Sequence, residues 1–351
     1  MPVVIAGMHR SGTSMVTRLL NLCGLYLGDE QNLLSPTKDN PEGFWENAQF
    51  QNMNDQILAS FGGGWDIPPV LQTGWETSPH LTAIADKAKL VIKEISQQNP
   101  VWGWKDPRNS LTLPFWKKLV LNPKIIVCIR NPFEVSHSLL RIGGASSIFS
   151  YNLWLTYNQQ LLLSTNPDEC IITHYDSFFR DPQAELRRLA NFLEMEVSDE
   201  MISTACQTIS KDLRHNYGSI TNLRVTNAPA QLLYLYRELC LRAGSTYKIS
   251  VSPEEAKFLE SIAPTEEFVM ASPQKHMEEI NQDLELANAE KVRLHREIVS
   301  LREEITMLQG TIQNISASRS WRLIQIIQKI RLFFIPLGSW REKIVKVIFK
   351  F

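Results

Sequence analysis

Apolar residues along this chain fall into two kinds of pattern. Four runs are short and nearly unbroken: Val3–Ala6, Val101–Lys105, Lys124–Ile129 and Cys170–Tyr175. The first and third are almost pure Val and Ile, which predicts parallel strands covered on both faces. Between the runs the spacing becomes helical. Ser14–Cys23 sets Met15, Leu19, Leu20 and Cys23 on one face and stops at Gly24, a favourable helix end. Gln49–Phe61 does the same with Phe50, Met53, Ile57, Leu58 and Phe61, and helices are also expected over 151–163 and Pro182–Leu193. Strands alternating with helices predict right-handed βαβ units, hence an α/β fold of the P-loop type with a parallel sheet flanked by helices. Turn formers crowd two stretches, 25–47 and 62–79, among them Pro36, Pro41, Gly62, Gly63, Gly64, Pro68 and Pro69. Irregular segments of that length in a compact α/β fold are more often functional than idle. Residues 195–270 look helical but carry little pattern.

The period changes again at Met277. Apolar residues then alternate three and four apart through Ile280, Leu284, Ala287, Leu294, Ile298, Leu301, Ile305, Leu308, Ile312 and Ile315, with Lys291 in the one polar seam position. Ile frequent at a and Leu at d favours a parallel two-stranded coiled coil, and the narrow seam with polar flanks favours it over a helix packed on the domain. The expected organisation is an α/β domain over 1–250, a linker over 251–275, a coiled coil over 276–318 that makes a homodimer, and a tail over 319–351. That tail mixes Trp321, Phe333, Phe334 and Trp340 with eight Lys/Arg and a single acid. Such a segment suits peripheral contact with an anionic membrane, or else packing on another protein.

Composition narrows the class. Of 351 residues, 44% are hydrophobic and 21% charged, enough for a real core and unlike a disordered chain. A net charge of −1 provides no global basic field, so no nucleic-acid partner is expected. Five scattered cysteines with no C-x-x-C pair read as core residues in a reducing compartment, and the start shows no charged, apolar leader. The expectation is a cytoplasmic protein, peripheral on the membrane face if the tail binds lipid.

The strongest local signal is the run Val3-Val-Ile-Ala-Gly7-Met-His-Arg10-Ser-Gly12-Thr13-Ser14. A strand that ends in Gly-x-x-x-x-Gly and opens a helix wraps an anion in backbone N–H groups, and the helix N-terminus adds its positive end. Thr13 stands where an ATP-binding loop carries lysine. The third strand ends in Arg130, where ATP and GTP users place a metal-holding Asp. A cation there attracts a second phosphate, which suits a ligand anionic at both ends and no metal.

With these features the sequence resembles the sulfotransferases that use 3′-phosphoadenosine 5′-phosphosulfate (PAPS). Gly7–Ser14 is similar to the family's 5′-phosphosulfate loop, and Arg130-Asn-Pro-Phe-Glu-Val-Ser-His-Ser138 to its 3′-phosphate element. In the second stretch Asn131 suits a helix cap, Pro132 the first helical position, and Glu134 a capping-box-like arrangement. Trp104-Lys105-Asp106-Pro107-Arg108 resembles an element of the tyrosylprotein sulfotransferases. Tyr175-Asp-Ser-Phe-Phe-Arg-Asp181-Pro182 with Phe192-Leu193 resembles a stretch found in many members. The likeness covers roughly residues 1–200. The nucleotide-closing Arg-Lys-Gly-x-x-Gly element has no counterpart, and Arg214 is the one candidate to supply charge there.

The resemblance implies PAPS as cofactor, bound by Arg10, Ser11, Gly12, Thr13, Ser14, Arg130, Ser138 and Tyr175. It implies sulfuryl transfer to a hydroxyl, in which Arg10 and Lys105 stabilise charge and a base takes the acceptor proton. Glu46 is favoured as that base, since it follows the loop at the distance common in the family and Trp45 can exclude water; Glu42 and His9 are the runners-up. Each residue also has a plainer reading: Arg10 shaping the loop, Lys105–Asp106 a structural turn, Glu46 a helix-start acid. Trp65, Trp75, Trp102 and Trp104 suit either an acceptor wall or the core, and His174 a satisfied strand end. A carbohydrate hydroxyl is the expected acceptor. A nucleotide-binding scaffold and an ATP-dependent kinase are the rival readings; the presence together of Arg10, Lys105, Arg130 and Ser138 speaks against the first, Thr13 and Arg130 against the second.

Overall fold

The apolar run after Met1 forms β1 (Pro2–Ala6), in which Val3, Val4, Ile5 and Ala6 are wholly buried. In chain order follow α1 (Thr13–Leu22), α2 (Ala48–Ser60), α3 (Thr82–Gln98), β2 (Trp102–Lys105) and α4 (Asn109–Leu119). Then come β3 (Lys124–Ile129), α5 (Pro132–Gly143), α6 (Ser147–Leu163), β4 (Cys170–His174), α7 (Ser177–Arg180), α8 (Pro182–Phe192), α9 (Asp199–Gln207) and α10 (Ala230–Arg242). This computed structural model describes residues 1–37, 43–210, 218, 222–223, 226, 228–244, 293, 300–301, 304–336 and 338–343. The strands make one parallel sheet in the order β2–β1–β3–β4, and helices fill every crossover, as parallel pairing requires.

Two apolar layers cover the sheet. Val3, Ile5, Ile126 and Cys128 pack with residues of α1, α8 and α9. Val4, Ala6, Ile125, Val127 and Ile129 pack on the other side with residues of α2, α3, α4, α6 and α10. Both faces being dry explains why β1 and β3 read as unbroken apolar runs rather than alternating ones. The chain leaves β1 toward one sheet edge and passes back over it to β3. The crevice at the carboxyl ends of β1 and β3 is therefore a topological switch point, the usual place for a ligand in such sheets.

The expected strands stand within one residue of the observed ones. Helices α3 and α4 do not show in the apolar pattern. Helix α3 buries Ile84, Ala88, Val91 and Ile95, but the small Ala88 weakens its apolar stripe. Helix α4 carries Pro114 inside it, which reads in a sequence as a breaker. Trp102 and Trp104 belong to the core, Trp102 stacked on Trp104, which stacks on Phe50 and meets Trp116 at a tilt, and they do not wall an acceptor site. His174 is satisfied, meeting the Tyr236 hydroxyl and accepting from the Asp176 amide.

The chain divides into two compact units, Met1–Ala271 and Ser272–Phe351. In the second, helix spans 304–317, and Ser318 caps a new helix, Arg319–Phe334. The expected linker over 251–275 and seam positions 277–298 lie outside the described residues. No helix among the described residues is long and apolar enough to cross a membrane.

Candidate active site

The turn from β1 to α1 is shaped by close approach. A Cβ on Gly7 would sit 2.3 Å from the Cys128 carbonyl oxygen, so only glycine lets the chain pass that near β3. Gly12, at φ 87°, lies under the Tyr175 ring, where a Cβ would come within 2.4 Å of Cδ2. As the residue preceding α1 it has no side chain to cap the helix, so the amides of the first turn face a cradle closed by an aromatic wall. Arg10 also holds a left-handed backbone, at φ 70°. Ser11 departs from expectation. Its amide donates to the Met8 carbonyl at 3.1 Å, its side chain is buried, and it does not line the cavity.

Three elements bring cations to this turn. Arg10 Nε donates to Ser138 Oγ at 2.9 Å, joining the loop to α5. Arg130, at the end of β3, donates to the Arg10 carbonyl at 3.3 Å, and its guanidinium stands 4.2 Å over the Tyr175 ring. Asn131 caps α5 and Pro132 opens it, as the sequence suggests. Glu134 corrects the capping-box expectation: its carboxylate accepts from Arg130 Nε at 2.7 Å and from the Gly218 amide at 2.8 Å, steadying the arginine. Lys105, at the end of β2, is 1% exposed and donates to Glu46 Oε1 at 2.6 Å and to Ser14 Oγ at 3.3 Å.

Lys105 is fixed by its neighbour. The Asp106 carboxylate accepts from Asn54 of α2 and from the Arg108 amide and guanidinium, while Asn54 also meets Asn109, Thr112 and Trp116. Lys105 thus faces the cavity while Asp106 braces the turn that carries it. Glu46 precedes Asn47, the cap of α2, and is held inward by the left-handed Trp45. Burial pushes its carboxyl above the usual carboxylate range, against the pull of Lys105.

These residues surround a cavity of about 380 Å³. Arg10, Arg18, Lys105, Arg130 and Arg141 line it with Glu46 as the one lining acid among the described residues, so its field favours a polyanion. Thr13, Ser14 and Tyr175 face it; Ser138 reaches it through Arg10. Arg18 and Arg141 were not foreseen, though each had a helical signal, four residues after Ser14 and three after Ser138. Thr208, Ile209 and Ser210 close another wall that no motif marked. His9 packs 4.6 Å from Trp65, ring centre to ring centre, and burial together with Arg108, Lys105 and Arg10 holds its pKa well below the usual value. An imidazole so averse to charge is a poor proton acceptor. Glu42 and Arg214 lie outside the described residues, and among those described no three His, Cys, Asp or Glu side chains gather as metal ligands.

A sequence profile described as "Sulfotransferase family" matches residues 2–199, more than half of the chain. The chain belongs to the sulfotransferase family. This sulfotransferase is 22% identical over 209 residues to a putative protein-tyrosine sulfotransferase of Caenorhabditis briggsae, covering 57% of this chain and 68% of that one. It is 30% identical over 158 residues to a putative protein-tyrosine sulfotransferase of Caenorhabditis elegans, covering 42% of this chain and 61% of that one. Among solved structures, sulfotransferase STF9 from Mycobacterium avium aligns with a TM-score of 0.42 at 12% identity, over 68% of this chain and 75% of that chain. Membership implies PAPS as the donor. The cradle over Gly12 and the excess of cations fit a nucleotide with phosphates at both ends.

Proposed function

We propose that this sulfotransferase moves a sulfuryl group from PAPS to a hydroxyl, with Glu46 as general base and Lys105 and Arg10 as the charge-stabilising cations. The donor, when bound, supplies an activated sulfuryl group on a phosphate leaving group. Thr13, Ser14 and the first-turn amides of α1 would hold its 5′ end, and Arg130 with Ser138 its 3′-phosphate. The observation that carries the reading is the Glu46–Lys105–Ser14 chain, which ties a proton acceptor to the anion loop through one buried ammonium. Glu46 takes the acceptor proton on a carboxylate oxygen, and its raised pKa makes it a stronger base than a solvated carboxylate. Lys105 and Arg10 offer fixed positive charge where negative charge builds.

For the acceptor we favour a carbohydrate hydroxyl, since Phe44 and Trp45 give the cavity an aromatic wall on the side of Glu46. A tyrosyl phenol is the second reading, favoured by the names of the two nematode relatives. Five buried cysteines, none of them in a disulfide, support a cytoplasmic setting, and the exposed seam of the second unit supports a homodimer.

The test is Glu46→Gln. Thermal stabilisation by adenosine 3′,5′-bisphosphate without magnesium should persist, while turnover, followed by mass spectrometry with saccharide and tyrosyl-peptide acceptors, falls about 10²–10⁴-fold. Near-normal turnover in a variant that still binds nucleotide would remove Glu46 as the base. Stabilisation by magnesium-ATP in place of the bisphosphate would overturn the donor.

A further inference from the structure

Helix Arg319–Phe334 carries an apolar face that is exposed among the described residues. Leu323, Ile326, Ile327, Ile330, Phe333 and Phe334 recur at helical spacing and are between 53% and 79% exposed. On a helical projection they span about a third of the circumference, with Arg322 and Lys329 along one border and Arg331 along the other. Trp321 precedes this face and Trp340 follows it, both exposed.

This face does not continue the seam before it. Carried past Ile315 in steps of four and three, the seam would fall on Arg319, Arg322, Ile326, Lys329 and Phe333. Three of those five positions are cationic, Arg319 and Arg322 consecutively, a heavy cost for a two-stranded core. The backbone marks the same break. Ser318 leaves helical geometry, with ψ 149°, and its hydroxyl accepts from the Trp321 amide to start a new helix. A second copy laid on the new face would bring Arg322, Lys329 and Arg331 against their own equivalents. From residue 305 to 341 there is no acid to relieve that repulsion. A nucleic acid would use the cations and leave the six apolar side chains in water. An anionic bilayer satisfies both, with acyl chains for the apolar face, lipid phosphates for the basic borders and the headgroup layer for the tryptophans.

We infer that Arg319–Phe334 is a membrane-surface helix, lying along an anionic lipid bilayer and holding the chain there. Its occupant is lipid, bound through buried apolar area and through charge that salt screens.

The full chain is mixed with vesicles of phosphatidylcholine alone and of phosphatidylcholine with phosphatidylglycerol, and sedimented. Binding is expected to the mixed vesicles, weakening as salt is raised, with a blue shift of tryptophan emission. The double variant Arg322→Gln, Lys329→Gln should weaken binding on the order of 10-fold or more. The double variant Ile326→Asp, Ile330→Asp should abolish it, while both variants keep the wild-type thermal shift with adenosine 3′,5′-bisphosphate. The inference fails if the wild type does not sediment with the mixed vesicles, or binds both kinds alike, or if the Asp variant still binds. It fails too if the Asp variant, without vesicles, lowers the oligomeric state in sedimentation velocity, since the face would then belong to a second copy.

Discussion

Glu46 and Lys105 pull the site's proton chemistry in opposite directions, and burial wins at the carboxyl. If Glu46 is the base, only its carboxylate form accepts a proton, so kcat/KM should climb with pH through a value above the ordinary 4.3 or so of a glutamate, and Glu46→Gln should lose that limb. Stability from this group runs the other way. A raised folded pKa means that the folded chain holds the proton more tightly than the unfolded one. The contribution is full below the unfolded value and is lost as pH rises through the folded one. A pH–rate profile beside a pH series of melting midpoints reads both signs. At this scale the anion loop and Arg130 were legible because glycine spacing and a charge at a strand end are local facts. The Glu46–Lys105 contact was half legible: each residue stood out, but nothing in the sequence says that positions 59 apart share a proton-sized gap. Arg18 and Arg141 stayed hidden among ordinary surface cations, since only the fold turns them toward one cavity.

Among the elements, α2 matters beyond its packing. Asn54 gives its amide to Asp106 and Asn109 and takes hydrogen bonds from Thr112 and Trp116, so one buried side chain ties α2 to the end of β2 and to α4. Asn54→Ala leaves several of those groups unpaired in the interior and should cost about 3 kcal/mol in urea unfolding. Because Asp106 anchors the peptide that carries Lys105, kcat should fall more than nucleotide affinity does. An unchanged kcat would confine Asn54 to stability. Strands were easy to find because a strand with both faces dry has no other pattern to adopt. Helix α4 was not, because a helix can absorb Pro114 when its neighbours hold it, and tertiary packing leaves no mark on local propensity.

Over the whole molecule, the heptad pattern and the structure meet only in part. Leu301, Ile305, Leu308, Ile312 and Ile315 are each more than half exposed, so the second unit carries an apolar stripe awaiting a partner. If that partner is a second copy, Ile305→Asp with Ile312→Asp should halve the sedimenting mass of the full chain; an unchanged mass would exclude the stripe as a dimer seam. The sheet order has a separate consequence for endurance. Gly12 and Arg130 hang from turns that leave β1 and β3, the two interior strands, whereas Lys105 and Tyr175 leave from the outer ones. Deuterium should therefore enter the amides of β2 and β4 before those of β1 and β3. A molecule fraying in warm solution would loosen Lys105 and the aromatic wall of Tyr175 first and keep Gly12, Arg10 and Arg130 in place until the sheet itself comes apart.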